Sequence, residues 1–389
     1  MFTSTSTPTP TTTTTHPDIF KDTIYHTRPV IKKAIADLSK EKVAELMNDC
    51  VKRNHIPIPL PIISDETLIK RFLDVYNFDL KVTDTQKMQR KIFYNILSGH
   101  FTNKVRVYSA SKGHASAIDM WGDAQRLNLI RGCLGMINMD CPNFNENFLF
   151  LGIRNYIRMP GQFPVYVARM VYCHILSEPL RTTPTKIGNV YTGKVLDTSM
   201  GWGDRLVGAM TCPLVSEYVG CDPNKSLSPC YKAAYTMYKS ARPSPFKFTP
   251  YVCGSEHEHS GMYKKEYYDA AFSSPPYLDI EQYKETTGQP GSKQAWSRYK
   301  TFDEFITKFI YKTIDLTLYS LKRGGIYAIN VSAVCNPENK KETLSGKVIE
   351  YLSKKPGVIQ KESLQFPIRN VKGGFVEGRS EIVYIFKKS

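Results

Sequence analysis

From Thr185 onward, short β-rich runs alternate with helical ones, and this alternation constrains the fold more than any other feature of the chain. The run "GKVLDTS" is followed by "DRLVGAM", "EYVGCD" by "CYKAAYTMYKS", and "YDAAFSS" by the long helical pattern "FDEFITKFIYKTIDLTLYSL". Further strands are expected at "PYVCGS", "GGIYAINVS" and "SEIVYIFKK", with a helix near "KKETLSGKVIEYLSKK". Strands separated by helices pair in parallel, and the helices then cover both faces. The expectation is therefore a parallel α/β sheet, whose ligands would bind at the carboxyl ends of its strands.

The chain before Thr185 reads differently. Residues 1–16 are dominated by Thr, Ser and Pro, which bury no apolar surface, so a disordered tail is expected there. Over 17–100, "IKKAIADLSKEKVAELMNDCVKR" and "DETLIKRFLDVYNF" repeat apolar residues every three or four positions, with Asp65 as the expected helix cap of the second run. Acids are mixed with the Lys and Arg of these helices, as on a solvated surface. The segment 101–181 mixes strand-like and helical pieces and contains "FPVYVARMVYCHI", a helix that starts suitably after a proline. Residues 182–389 form the expected catalytic domain.

Lys and Arg number 52 against 36 Asp and Glu, a net charge of +16 that favours a polyanionic partner such as nucleic acid. Nine cysteines without a C-x-x-C pair, and no apolar leader, point to free thiols in an intracellular, reducing setting. Apolar runs such as "FLFLGI" fall far short of a membrane span, so no membrane partner is expected.

The strand ends carry the chemistry. The first reads "VLDTSMGWGDRL", in which Gly201 and Gly203 allow a tight turn and close approach to a ligand. It is not a dinucleotide fingerprint, because the third glycine would fall at Leu206, and no phosphate-binding P-loop occurs anywhere, so NAD and ATP lose ground. The second, "YVGCDPN", places Asp222 where an acid accepts hydrogen bonds from a ribose diol. The third, "VCGSEHEH", offers Ser255, Glu256 and His257; His257 and His259 lack a third ligand at sensible spacing, so no metal is expected. The fourth ends in Ser274-Pro275-Pro276-Tyr277, a stiff extended loop whose prolines leave carbonyls without ladder partners.

In this order the motifs resemble class I S-adenosylmethionine-dependent methyltransferases, specifically the DNA amino-methyltransferases with a (D/N/S)-P-P-(Y/F/W) loop. The resemblance spans roughly Phe163 to Phe386, in the cofactor-first order, and its "GWGDRL" is similar to that of phage and large-virus enzymes. It implies a Rossmann-like class I methyltransferase sheet with S-adenosylmethionine as cofactor. It also implies cofactor contacts from Phe163, Asp197, Ser199, Gly201, Trp202, Gly203, Asp222, Ser255 and Glu256, and catalysis by Ser274, Pro275, Pro276 and Tyr277. Ser199 stands where the family often has an aromatic residue. No large target-recognition insert is evident, which leaves the N-terminal helices and "ETTGQPGSKQAWSRY" as candidates for reading the target.

An exocyclic base amine is a poor nucleophile because its lone pair is delocalised into the ring. A Ser274 side chain and a Pro275 carbonyl that accept its two hydrogens would favour the pyramidal, nucleophilic nitrogen. Tyr277 would stack on a base that has left its helix. Carbon-5 methylation would need a cysteine nucleophile, and the Pro229-Cys230 pair follows the second strand rather than the fourth. Within the resemblance, serine at the first loop position leans toward N4 of cytosine over N6 of adenine. DNA is the expected partner, with RNA or protein amines as alternative substrates and a catalytically silent nucleic-acid-binding relative as a further alternative.

Overall fold

The structure is a computed structural model that describes residues 19–78, 92–122, 125–136, 143–157, 159–177, 186–187, 190–258, 261–278, 280–288, 294–369 and 375–389. The Thr/Ser/Pro-rich tail lies outside the described residues. Two compact units interleave along the chain, one comprising 1–62 and 117–157, the other 63–116 and 158–389. The sequence reading drew its lines instead at 16, 100 and 181.

The first unit is helical, with helices Arg28–Leu38, Lys40–Arg53, Ala117–Gly122, Arg126–Gly135 and Glu146–Tyr156. Inside it, the buried Arg126 guanidinium donates from Nε to Asn48 Oδ1 (2.9 Å) and from an Nη to the Trp121 carbonyl (2.8 Å). These bonds tie three helical segments and give a buried charge its partners.

The second unit is built on a seven-stranded sheet: β1 Gly193–Asp197, β2 Val215–Cys221, β3 Lys247–Tyr251, β4 Tyr268–Ser273, β5 Leu321–Asn330, β6 Val358–Arg369 and β7 Phe375–Lys388. Their spatial order is β6-β7-β5-β4-β1-β2-β3. Strands β3, β2, β1, β4 and β5 run parallel, whereas β7 is antiparallel to both β5 and β6. The chain steps outward from β1 to β3 and then returns to the other side of β1 with β4, so the order reverses between β1 and β4. The fold is Rossmann-like, with helices on both faces.

Period-two alternation assigns the faces. Ala270, Phe272, Ile326 and Ala328 join the core under helices Val165–Ser177, Asp204–Thr211 and Ser228–Ala241. Their neighbours Ala271, Tyr327 and Ile329 face Phe305, Ile314 and Val348 on the opposite side. A strand buried on both faces is largely apolar, which explains the "AAF" run of β4 and the "IYAI" run of β5. Helices Asp65–Asn77 and Ile96–Arg106 extend the first face: the Phe72 ring stacks on Tyr238 at 4.7 Å, and Tyr238 donates to the Leu97 carbonyl at 2.8 Å.

The structure departs from the sequence reading in several places. The wholly parallel sheet becomes mixed through β7. Strand β6 was not anticipated: "VIQKESLQFPIR" carries Lys, Glu and Gln on an edge strand with one exposed side, and its Pro367 is tolerated only at such an edge. The third strand stops at Tyr251, so Cys253 to Glu256 belong to the following turn. Ser64 caps the helix assigned to Asp65, its hydroxyl accepting from Thr67 N, and Asp65 occupies the first turn, where its charge meets the positive helix end. The long helical run over residues 302–320 contains a π-helical turn at Phe305–Ile310.

Helices Val165–Ser177 and Asp204–Thr211 meet at Gly208, where an added Cβ would lie 2.5 Å from Ala168 Cβ and 2.9 Å from the Val165 carbonyl. In an isolated helix Gly208→Ala would gain about 1 kcal/mol. Here overpacking outweighs that gain, and the substitution is expected to cost a net ~1–3 kcal/mol, read as a lower midpoint in chemical denaturation.

Candidate active site

A cavity opens at the carboxyl ends of β1, β2, β4 and β5, at the reversal of strand order. It is lined by Phe163, Ser199, Gly201, Trp202, Asp222, Ser255 and all four residues Ser274 to Tyr277. The structure therefore gathers ten of the thirteen residues singled out in the sequence. Asp197, Gly203 and Glu256 do not line it.

Asp197 instead holds the cavity's wall in shape. Its fully buried carboxylate accepts from Arg205 Nε at 2.9 Å, from Tyr218 Oη at 2.6 Å and from Ser199 N at 3.0 Å. Arg205 also donates to the Ser199 carbonyl. One ion pair thus binds the end of β1, the following turn and the helix after it. Within that turn Gly201 (φ 56°) and Gly203 (φ 79°) occupy the left-handed region that glycine adopts without strain. The Tyr231 hydroxyl donates to the Gly201 carbonyl, and Tyr231 ring atoms lie 3.4 Å from where a Gly203 Cβ would stand.

Asp222 accepts from Gly201 N on one oxygen and Asn224 N on the other, each at 2.9 Å. Burial pushes its carboxyl up to about 7 against the lowering effect of those two donors. Asp204, the first residue of its helix, accepts from Ser98 Oγ, Gln162 Nε2 (3.2 Å) and Phe163 N (3.2 Å). Burial likewise raises it, to about 6. Asp204 lines the cavity and secures the segment bearing Phe163, whose ring meets Phe272 edge-on at 5.5 Å.

The proline loop is braced by Asn330 at the end of β5. Asn330 Oδ1 accepts from Ser274 Oγ and from Tyr277 Oη, both at 3.1 Å, while its Nδ2 donates to the Ile382 carbonyl at 3.0 Å. Because the Ser274 proton is directed to Asn330, the Oγ lone pairs remain for another donor. Among the described residues no hydrogen bond occupies the Pro275 carbonyl. Burial also raises the Tyr277 phenol, keeping it protonated as the donor this arrangement needs. Leu278, directly after the loop, has φ 53°, a strained geometry for a branched side chain that costs roughly 1–2 kcal/mol. It is held by burial and by Ile280 N donating to the Tyr277 carbonyl at 3.2 Å.

Glu256 accepts instead from Arg298 and, at 2.9 Å, from Tyr299 Oη. His257 also sits beside Arg298, at 2.8 Å, and His259 lies outside the described residues. Cys230 is buried at the start of its helix, with its thiol directed to the Ser226 carbonyl and its pKa raised by burial, and it does not line the cavity. Of the loop "ETTGQPGSKQAWSRY", Gln294 and Ala295 line the cavity, whereas residues 289–293 lie outside the described residues.

Sequence reasoning missed Asp204, Glu281, Tyr283, Asn330 and Glu381, which also line the cavity. Two of them were within sight of the motifs: Asp204 completes "GWGDRL", and Asn330 ends an apolar strand with a polar residue. Nothing in the sequence marked Glu381, because it reaches the cavity from the antiparallel strand β7.

The chain matches no protein-family model and no curated protein. Among solved structures it is similar to an rRNA methylase from Streptococcus thermophilus at 13% identity and a TM-score of 0.34, covering 58% of this chain and 97% of that one. It is similar to the N-methyltransferase NodS from Bradyrhizobium japonicum WM9 at 13% identity and a TM-score of 0.33, covering 57% and 95%. A methyltransferase from Pyrococcus furiosus matches at 16% identity and a TM-score of 0.32, covering 56% and 82%. Likeness at this level carries no inference about activity.

Two measurements check this geometry. Asp197→Ala leaves the Arg205 guanidinium buried without its counter-charge and is expected to cost about 3–5 kcal/mol in unfolding free energy. The second is the pH dependence of stability. An unfolded aspartate keeps its proton only below about pH 4, whereas folded Asp222 keeps its proton up to about 7. Between those values the folded state binds more protons, so stability declines as pH rises. Asp222→Asn is expected to flatten that decline in unfolding experiments on the ligand-free protein.

Proposed function

We propose that this protein transfers a methyl group from S-adenosylmethionine to the exocyclic amine of a DNA base, with N4 of cytosine favoured over N6 of adenine. The observation that carries this reading is that Ser274-Pro275-Pro276-Tyr277 faces the same cavity as the Gly201 turn and Asp222. The lining suits the cofactor. Each Asp222 oxygen accepts only one backbone N–H, which leaves lone pairs for a ribose diol. Trp202 and Leu227 offer apolar walls for an adenine ring, and Phe163 stands at the side where the family resemblance expects the methionine portion. When bound, S-adenosylmethionine supplies a methyl group activated by its sulfonium.

The chain's own residues prepare the amine. Ser274 Oγ, its proton committed to Asn330, accepts one amine hydrogen, and the Pro275 carbonyl accepts the other. The nitrogen lone pair is thereby withdrawn from the ring and aimed at the methyl group. Tyr277, held through its hydroxyl by Asn330, presents its ring to the extruded base, a stacking contact worth about 1–3 kcal/mol. Positioning does most of the work of such a displacement, and no covalent enzyme intermediate is needed. The net charge of +16 suits a polyanionic substrate, and such a substrate places the protein's work inside the cell. No described helix is long and apolar enough to cross a membrane.

The test uses S-adenosylmethionine labelled in its methyl group with amplified unmethylated DNA, transcribed RNA and protein, each digested and analysed by mass spectrometry. Labelled N4-methylcytosine or N6-methyladenine from DNA is expected; label confined to RNA or protein would overturn the DNA assignment. Ser274→Ala and Pro275→Ala are each expected to lower turnover about 100-fold while cofactor affinity stays within a few-fold. Asp222→Ala is expected to do the reverse, weakening cofactor binding first.

A further inference from the structure

Four carboxylates line the cavity: Asp204, Asp222, Glu281 and Glu381. Three have donors. Asp204 and Asp222 hold the bonds described above, and Glu281 accepts from Gly161 N at 2.8 Å and from the Tyr283 hydroxyl. The one cationic side chain in the lining, Arg205, is committed to Asp197. Among the described residues no hydrogen-bond donor or cation reaches Glu381.

Glu381 stands at the catalytic end of the cavity. Its strand, β7, pairs with β5, with Val383 opposite Asn330, the residue that braces the proline loop. The negative charges of Glu381 and Glu281 both act on the Tyr277 phenol, which places the two carboxylates near that hydroxyl. Burial, and then repulsion from Glu281, raise the Glu381 carboxyl above its usual range. A folded protein keeps an unpaired carboxylate beside another only at a cost, and a positive ligand charge removes that cost.

We propose that Glu381 is a specificity residue that reads the positive charge of the methyl donor, so that the cavity prefers the sulfonium cofactor to its neutral, demethylated thioether product. The inference rests on the cofactor reading above. A ligand whose ribose lies on Asp222 and whose transferable methyl faces Ser274 carries its sulfonium toward the Glu381 end. The two ligands share every other group, so the carboxylate's attraction enters their difference alone. Its effect is to hold the donor before the reaction and to weaken the hold on the product afterwards.

The test is calorimetric binding of S-adenosylmethionine, S-adenosylhomocysteine and sinefungin, which carries an ammonium in place of the sulfonium. Wild type is compared with Glu381→Gln, which keeps the side chain's size. Removing the charge is expected to lower the preference for S-adenosylmethionine over S-adenosylhomocysteine about tenfold. Sinefungin should follow S-adenosylmethionine, and affinity for the thioether should stay within about twofold. The preference should also fade as pH drops through the raised Glu381 pKa, and by more in wild type than in Glu381→Gln, where Asp222 and Asp204 still titrate. Asp222, Asp204, Glu281, Tyr277, Tyr283 and Arg205 share the cavity and are the same in both proteins, so the change in the affinity ratio between wild type and Glu381→Gln isolates Glu381. An unchanged ratio in Glu381→Gln overturns the assignment while leaving the cofactor reading intact. If wild type binds none of the three ligands, the cofactor reading fails and this assignment fails with it.

Discussion

The buried pair of Asp197 and Arg205 is the interaction on which the site depends. Its charges are removed from water, so they persist only because Tyr218, Ser199 N and the Ser199 carbonyl complete their hydrogen bonding. Those partners come from β2, from the turn after β1 and, through Arg205 itself, from the first turn of the next helix. With the turn held, Gly201 N is available to Asp222, and the ends of β1 and β2 become one rigid wall.

The opposite wall is organised by Asn330. A single amide, oriented by the Ile382 carbonyl on β7, accepts from both Ser274 and Tyr277 and so decides which way the serine proton points. The double proline stiffens the loop, but stiffness alone would not make Ser274 an acceptor. Strands β5 and β7 provide that, and β7 also carries Glu381 into the same space. The antiparallel strand at this side of the sheet therefore does more than extend it. It delivers a hydrogen-bond anchor and a charge to the proline loop.

The two walls differ in what they offer a ligand. Around Gly201 and Asp222 the contacts are backbone groups, apolar rings and a carboxylate whose oxygens keep spare lone pairs, which suits a nucleoside. Around Ser274 and Tyr277 the groups are acceptors and an aromatic face, which suits an amine on a planar ring. Their junction falls where the strand order reverses, and there the crossing connections leave a crevice that no side chain of the sheet fills.

Much of this was legible in the chain. The alternation after Thr185 pointed to a parallel α/β sheet with helices on both faces, because apolar runs that short have to be buried on both faces. The glycine turn, Asp222 and the proline loop were visible because each demands an unusual residue at a strand end. Three things were decided only by tertiary structure. Strand β6 was hidden because an edge strand needs one apolar side and reads as polar. Asp197 matched a cofactor motif, yet packing turned it toward Arg205. Glu381 and Asn330 reached the site through strand pairing, a contact between distant segments that local sequence does not encode. Sequence determines where a backbone must turn and which runs must be buried, since these are local demands. Which side chains then face one another across a cavity depends on register and strand direction, and only the assembled sheet settles those.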